Sequence, residues 1–534
     1  MKKQSLTEGF AILSMAGLIT KILSVLYIPF LLAIIGDEGN GIYAAAYQVY
    51  VFVYVIANSG IPVAISKSVS ELTAVGNHKD AVRTFKIARF FLIIIGLLLS
   101  ILMFVAAKPL AGMINSDKSA LAIAALSPTL FFTAYSSAYK GYFQGISNMT
   151  PTAISQVVEQ IANTVFTIVF ASLFIKISLE AACAGGTVGT TMGALVSTIV
   201  LIVVYHKMGK AGVMPRQGKT PSKHSYSQLA KRVIYYSIPI TLCVGAQYAG
   251  NLIDVANIRG RLLAADYTPE MVSVMHSYLS KYQQIMNAPI SIVSALAAAV
   301  IPSISAAAAG GVLRQIEDRA KHAFRLCLLI VIPSAVGLSI LSKPVYSVLR
   351  YGAGSFLMRY GSIVLILMAV VQIQSSILQG AGKMYRATIN VILGIILKII
   401  LNYILIANPK INIMGAIISS IAGYGLSLLL NAVTMKKQMK VRASLVRQSL
   451  APFISSIIMG GAVWVAYTSI NWLVAFMGAY AANALATLVS VFIGVTAYFI
   501  VMIGARGITK EDFDVLPGRI RRLIPRFILT RVRE

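Results

Sequence analysis

Apolar runs of 18 or more residues recur along the whole chain, divided by short polar stretches. Each run is long enough to cross a hydrocarbon layer about 30 Å thick. The pattern predicts fourteen spans. Six lie at about 10–35, 41–66, 87–107, 120–143, 152–175 and 181–205, and six more at about 234–258, 272–304, 323–342, 358–380, 387–406 and 412–434. Two last spans follow at about 450–470 and 479–504. Basic polar stretches fill 206–233 and 435–449, and a basic tail covers 505–534. The first run is too long for the apolar core of a signal peptide and has no small-residue cleavage site behind it, so it reads as a span. The expected fold is an all-α polytopic membrane protein of about fourteen transmembrane helices.

The chain also repeats itself. "QGISNM" from Gln144 returns as "QGAGKM" from Gln379, a shift of 235 residues. The same shift carries Lys108-Pro109 onto Lys343-Pro344 and Lys86-Ile87-Ala88 onto Lys321-His322-Ala323. With a small change of offset, "SGIPVAIS" of span 2 falls on "AVIPSISA" of span 8. Span 6 has glycine at 185, 189 and 193, and span 12 has Gly415, Ser419 and Gly423. Both are faces of small residues that allow close helix contact. Six spans per repeat is an even number, so the two copies share one orientation. They are an N-lobe (1–205) and a C-lobe (234–434), related by a pseudo-two-fold axis normal to the membrane, with spans 13 and 14 outside the repeat. Parallel repeats of this kind are a transporter architecture, with the substrate site expected between the lobes.

Composition and charge narrow the class. Of 534 residues, 57% are hydrophobic and 12% charged, with a mean hydropathy of +0.80. The net charge of +29 comes from Lys and Arg concentrated in alternate loops, while the first opposite loop, "GDEGNG", has none. This asymmetry places both termini in the cytoplasm. Basic loops spread beside anionic inner-leaflet lipids account for the charge without a nucleic-acid partner. Cys183, Cys243 and Cys327 all fall in apolar runs and read as small buried hydrophobes. His78, His206, His224 and His322 fall in loops, and His276 lies near the end of a span. No metal-ligand spacing, phosphate loop or nucleophile motif appears, so neither an enzyme nor a cofactor is expected.

Polar residues inside spans carry the candidate chemistry, since charge in hydrocarbon is costly and marks function or pairing. Lys21 is the twelfth residue of span 1, about 17 Å from its start. It shares a stripe with Ser14, Gly17 and Ser24. Span 8 repeats the pattern with Ser277, Lys281, Gln284, Asn287, Ser291 and Ser294. Two such faces could line a hydrated cavity whose ammonium groups meet an anionic cargo; the bland alternative is a structural carboxylate beside each lysine. Tyr43, Tyr47, Tyr50 and Tyr54 form a stripe on span 2, suited either to stacking on sugars or to helix packing. Lys67 and Glu71 sit at i and i+4 near a helix end, as a gate or a simple ion pair. Two acids lie deep: Glu159, with Gln156, Asn163 and Thr167, and Asp254 on span 7. Lys398 and Asn402 are the polar residues of span 11, and Lys398 is the simplest partner for Asp254.

The stretches "GISNMTPTAISQVVEQIAN" (145–163), "GIPVAISKSVSE" (60–71) and "ILKIILNYILI" (396–406) resemble the oligosaccharidyl-lipid flippases of the multidrug/oligosaccharidyl-lipid/polysaccharide exporter superfamily. Within it the chain is most similar, over nearly its full length, to the MurJ and SpoVB branch of Gram-positive bacteria. The resemblance implies a plasma-membrane exporter of undecaprenyl-diphosphate-linked sugars such as lipid II, working beside the cell-wall synthesis machinery. It also implies that Lys21 takes a position where the family often carries cavity arginines, and that Lys67 and Glu71 match its "AISKxVxE" pattern. Some relatives bind sodium through acids on helices 7 and 11. Asp254 resembles the first of these, but Lys398 stands where the second would help. An ammonium is a poor neighbour for a cation, which points to membrane potential or protons as the coupling force. The rival cargoes are another lipid-linked polysaccharide repeat unit, or a cationic drug carried by an antiporter of the same fold. A cation carrier would want acids where this chain has lysines.

Overall fold

The computed structural model describes residues 6–210, 224–309, 313–439, 445–505 and 507. Residues 211–223 of the basic linker, 440–444 of the second basic stretch and nearly all of the basic tail lie outside them, as do the side chains of Ser14 and Cys243. The described residues are helical almost throughout and form no strand. The first lobe contains α1 (Leu6–Leu26), α2 (Ile28–Asn58), α3 (Gly60–Ala74), α4 (His78–Val105), the short α5 (Ala107–Met113), α6 (Ala120–Gly145), α7 (Thr150–Phe174) and α8 (Leu179–Lys210). After the linker come α9 (Tyr226–Leu263), α10 (Pro269–Ala309), α11 (Leu313–Ile340), the short α12 (Ser342–Val348), α13 (Ser355–Gly380), α14 (Met384–Leu405) and α15 (Met414–Gln438). Finally, α16 (Leu445–Leu473) and α17 (Ala479–Gly504) close the chain.

Among the described residues, twelve helical segments are long and apolar enough to cross a membrane, with Ile28–Thr73 counted as one. Gly36 breaks that segment at φ 64, ψ −173. Only glycine takes this conformation without strain. α1 with the residues before Gly36 therefore makes the first span, and the remainder of α2 with α3 makes the second. Adding α9 brings the total to the fourteen that the apolar pattern predicts. Helix ends depart from the apolar runs where a cap, not hydropathy, decides. α4 begins at His78 because the Asn77 side chain accepts the backbone N–H of Asp80. α9 begins at Tyr226, behind a capping box made by Ser225 and Gln228. Each such cap contributes about 1 kcal/mol.

The internal repeat holds in three dimensions. α4, α5 and α6 start and end 235 residues ahead of α11, α12 and α13. Even the irregular backbone recurs: Asn115 and Arg350 both have positive φ, as do Ser147 and Gly382. A side chain at Gly145 would strike Ser66 O and Val69, and one at Gly380 would strike Ile301 O and Ile304, the same contact in both copies. The small-residue faces do what their spacing predicts. Gly185, Gly189 and Gly193 of α8 lie against Phe170, Thr167 and Glu159 of α7, and Gly423 of α15 lies against Gly394 of α14.

The chain forms two compact units, 1–280 with 406–410 and 281–405 with 411–534. The division runs inside α10, whereas the sequence-defined lobes part at the 206–233 linker. In the first unit α9 packs along α2, α3 and α4. Its core has one apolar cluster around Ile42, Val49 and Leu126 and another around Ile65, Phe85 and Tyr142. In the second, α13 packs on α11 and α15, and the α16–α17 hairpin lies against α11 and α12. That hairpin is tied down by Tyr498 Oη donating to Leu329 O at 2.9 Å and Asn483 Nδ2 to Pro344 O at 3.2 Å.

Candidate functional site

α7 has two unlike faces. Ile154, Ile161, Val165 and Leu173 are each about half exposed, as suits a lipid-facing stripe. The opposite face carries Gln156, Glu159, Asn163 and Thr167. Glu159 Oε2 accepts from Lys140 Nζ of α6 at 3.1 Å, with the two side chains 30% and 19% exposed. Thr167 Oγ1 lies 3.0 Å from Asn163 Oδ1 and 2.9 Å from Gly186 O, tying this face to α8. Lys140 escapes a reading by apolar runs because it stands in the last turns of its span, where a base is ordinary. The signal was there. α6 and α7 run antiparallel across a short turn, so a base shortly before that turn and an acid shortly after it can meet where their faces agree.

The tyrosine stripe of α2 stands beside this pair. Successive ring centroids of Tyr43, Tyr47, Tyr50 and Tyr54 are 6.1, 5.5 and 5.8 Å apart. Tyr43 and Tyr50 are buried in the core, while Tyr47 and Tyr54 stay partly open. Tyr47 and Tyr54 lie within electrostatic reach of Glu159, and Tyr54 also within that of Lys140. Two rings of the stripe are thus core residues, while Tyr47 and Tyr54 keep part of their faces open.

At the end of the first unit that holds the Gly36 break, α2 meets the start of α10. Asn40 Nδ2 donates to Ser277 Oγ at 2.8 Å, and His276 Nδ1 lies 3.2 Å from Gly41 O. Lys118 reaches both Glu38 (2.8 Å) and Glu270 (3.0 Å). Arg259 of α9, 2% exposed, donates through Nε to Asn115 O at 3.1 Å and through Nη2 to Ser273 Oγ at 3.2 Å. A Cβ at Gly41 would come within 1.8 Å of Ser273 O, so glycine is what lets these backbones touch.

The other end is closed by different chemistry. Glu71 pairs with Arg232 of α9, and Lys67 Nζ stands 4.0 Å from the ring centroid of Tyr236. The two residues therefore bind across to α9, an arrangement the i, i+4 spacing alone does not foresee. A Cβ at Gly60 would lie 2.3 Å from Ser237 O, a second close approach of α9. Asp80, fully buried, accepts from Asn77 Nδ2 at 2.8 Å and from the backbone N–H of His224 at 3.1 Å, fastening the end of the linker.

The remaining candidates are spread over both units. Lys21 is exposed on α1, which packs on α7, and Ser24 Oγ donates to Thr20 O at 2.7 Å. Lys281, 1% exposed, donates from Nζ to Tyr351 O at 2.5 Å in the second unit. Along α10, Ser277 is buried, Gln284 partly buried and Asn287 exposed, while Ser294 Oγ accepts from Gln372 Nε2 at 2.8 Å. Asp254 is buried on α9 in the first unit. Lys398 of α14 packs near Gly423, and Asn402 is fully buried. Among the described residues, no three His, Cys, Asp or Glu side chains come together as a metal site.

Comparison with known proteins shows the family and the fold. A family model described as "Polysaccharide biosynthesis protein" matches residues 6–308. The lipid II flippase MurJ of Bacillus subtilis (strain 168) is 26% identical over 522 residues, covering 92% of this chain and 94% of that one. Stage V sporulation protein B of the same organism is 27% identical over 531 residues, covering 97% and 99%. Among solved structures, lipid II flippase MurJ in an inward closed conformation superposes with a TM-score of 0.66 at 15% identity, over 92% of this chain and 98% of that one. An inward-facing multidrug resistance MATE family transporter of the MOP superfamily gives 0.65 at 15% identity, over 80% and 96%. The superpositions carry the fold, and the resemblance read from "GISNMTPTAISQVVEQIAN" is borne out at the family level.

Proposed function

The chain belongs to the polysaccharide biosynthesis protein family, as a multi-pass membrane transporter and not an enzyme, and on that premise we propose that it flips undecaprenyl-diphosphate-linked sugars from the inner to the outer leaflet. The peptidoglycan precursor lipid II is the first cargo to test, in keeping with the name of the Bacillus subtilis relative. The observation that carries the reading is the placement of basic groups within spans of the first unit. Lys21 is accessible on α1, and Lys140 stands paired beside two partly open tyrosines. Ammonium groups suit a diphosphate, and tyrosine faces suit a sugar. A carrier of cationic drugs would need the opposite charge.

In this reading both termini are cytoplasmic, so the 36–41 end of the first unit faces outward and the Glu71–Arg232 end faces the cytoplasm. Transport proceeds by alternating access, with the contacts at each end opening in turn. Depleting the protein from cells should lower the fraction of lipid II reached by a membrane-impermeant label while total lipid II rises. An unchanged externally labelled fraction would reject lipid II as cargo. Lys21→Ala should fail to restore that fraction while reaching normal protein levels, and Lys21→Arg should restore part of it. Full restoration by Lys21→Ala would remove Lys21 from the site.

A further inference from the structure

We propose that Lys140 is a diphosphate-binding residue and that Glu159 is its internal stand-in for the cargo, released when the diphosphate arrives. The inference rests on the flippase reading above and names a site within it. Lys140 is five residues from the Gly145 end of α6, about 8 Å along the helix axis. With both termini cytoplasmic, as proposed above, this is the cytoplasmic end of α6, the side from which a lipid-linked diphosphate would enter. Glu159 is on the face of α7 turned away from its apolar exposed stripe, so the pair does not look into lipid.

The second element is accessibility. An incoming anion can displace Glu159 from Lys140 only where the pair is open at one side, since a completely buried pair could not be reached. Here the lysine is 19% and the glutamate 30% exposed. α6 and α7 are each already fastened to α8, α6 through Thr187, Thr191 and Thr198 and α7 through the glycine contacts and Thr167. The third element is the surroundings. Tyr47 and Tyr54, whose rings are partly open, lie within electrostatic reach of Glu159, and their faces suit the first sugar beyond the diphosphate. The fourth is the repeat. At the shift of 235 residues, Lys140 falls on Ser375 and Glu159 on Gly394, so the second copy lacks both charges. A pair required by the helix fold alone would be expected in both copies.

The physics gives the exchange a definite sign. An unpaired ammonium at this depth is costly, and Glu159 removes that cost while the site is empty. A diphosphate offers Lys140 more negative charge and more acceptor oxygens than one carboxylate, so it can displace Glu159. Glu159 therefore competes with the cargo. Removing the lysine should weaken binding, and neutralising the glutamate should strengthen it.

The test measures binding of undecaprenyl diphosphate to the purified full-length protein in nanodiscs, with undecaprenol as the reference. Lys140→Gln should weaken diphosphate binding about tenfold, the loss of one charge-assisted hydrogen bond. Glu159→Gln should tighten it. Lys140→Arg, which keeps the charge, should bind close to wild type and so separates lost recognition from lost folding. If both neutral variants weaken binding equally, or neither changes it, the stand-in role is wrong while the flippase reading survives. If the wild type does not prefer the diphosphate to undecaprenol, the flippase reading itself fails and the inference falls with it.

Discussion

Gly41→Ala should abolish transport while leaving the protein in the membrane. The added methyl would sit 1.8 Å from Ser273 O and 2.5 Å from its carbonyl carbon, both backbone atoms with no rotamer to yield. The start of α10 must then move away from α2, and the contacts made there are lost: Asn40 with Ser277, and His276 with Gly41 O. A clash of this kind with its lost bonds costs about 3–5 kcal/mol. That is enough to shift a two-state equilibrium by more than about a hundredfold. The closed form of this end would become rare, and a carrier that cannot close one end cannot alternate. Ser277 reports the change, being fully buried in the closed form. With Cys183, Cys243 and Cys327 replaced, Ser277→Cys should resist an external thiol reagent and become reactive when Gly41→Ala is added. Normal transport by Gly41→Ala, or an inert Cys in the double variant, would show that this contact is not a gate.

The second large effect is expected at Lys281. Its ammonium donates to Tyr351 O in the turn between α12 and α13, just after Arg350 with its positive φ. Tyr351 is itself fully buried and packs edge-on against Tyr346, with centroids 5.5 Å apart. Lys281→Ala would remove a buried four-carbon stem and its hydrogen bond to that carbonyl, a combined loss of about 3–5 kcal/mol. Lys281→Met would keep most of the packing and lose mainly the hydrogen bond, about 1–3 kcal/mol. Thermal unfolding in detergent should therefore rank wild type above Met and Met above Ala. Equal stability of all three would mean that Lys281 does not pin the turn. Transport by the Met variant answers a separate question. A stable but inactive Lys281→Met would give the ammonium the cargo contact that its stripe on span 8 suggests.

The fold was legible because a bilayer imposes length and apolarity on every crossing, and the repeat left a fixed shift that needs no alignment to see. The ends of α4, α5 and α6 recur where "QGISNM" and "QGAGKM" say they should. The glycine faces of α8 and α15 were readable for the same reason, since only close helix contact uses glycine at that spacing. The site was less legible. Polar residues in apolar runs mark where chemistry is, but partners are set by which helices touch, and periodicity does not state that. So Lys67 and Glu71, spaced as if for each other, reach Tyr236 and Arg232 on α9. Arg259, one residue past the apolar run of span 7, is 2% exposed. Lys140, hidden by its place near a helix end, meets the Glu159 that was visible from the start.

The central claim, that this protein moves a lipid-linked diphosphate across a bilayer, is tested most directly by reconstitution. Purified protein would be placed in liposomes carrying a headgroup-labelled undecaprenyl-diphosphate sugar, with a membrane-impermeant quencher added outside. Label protected in the inner leaflet should be lost with time in wild-type vesicles and retained in vesicles with Gly41→Ala protein. Loss at the rate of protein-free vesicles, or equal loss with wild type and Gly41→Ala, would contradict it.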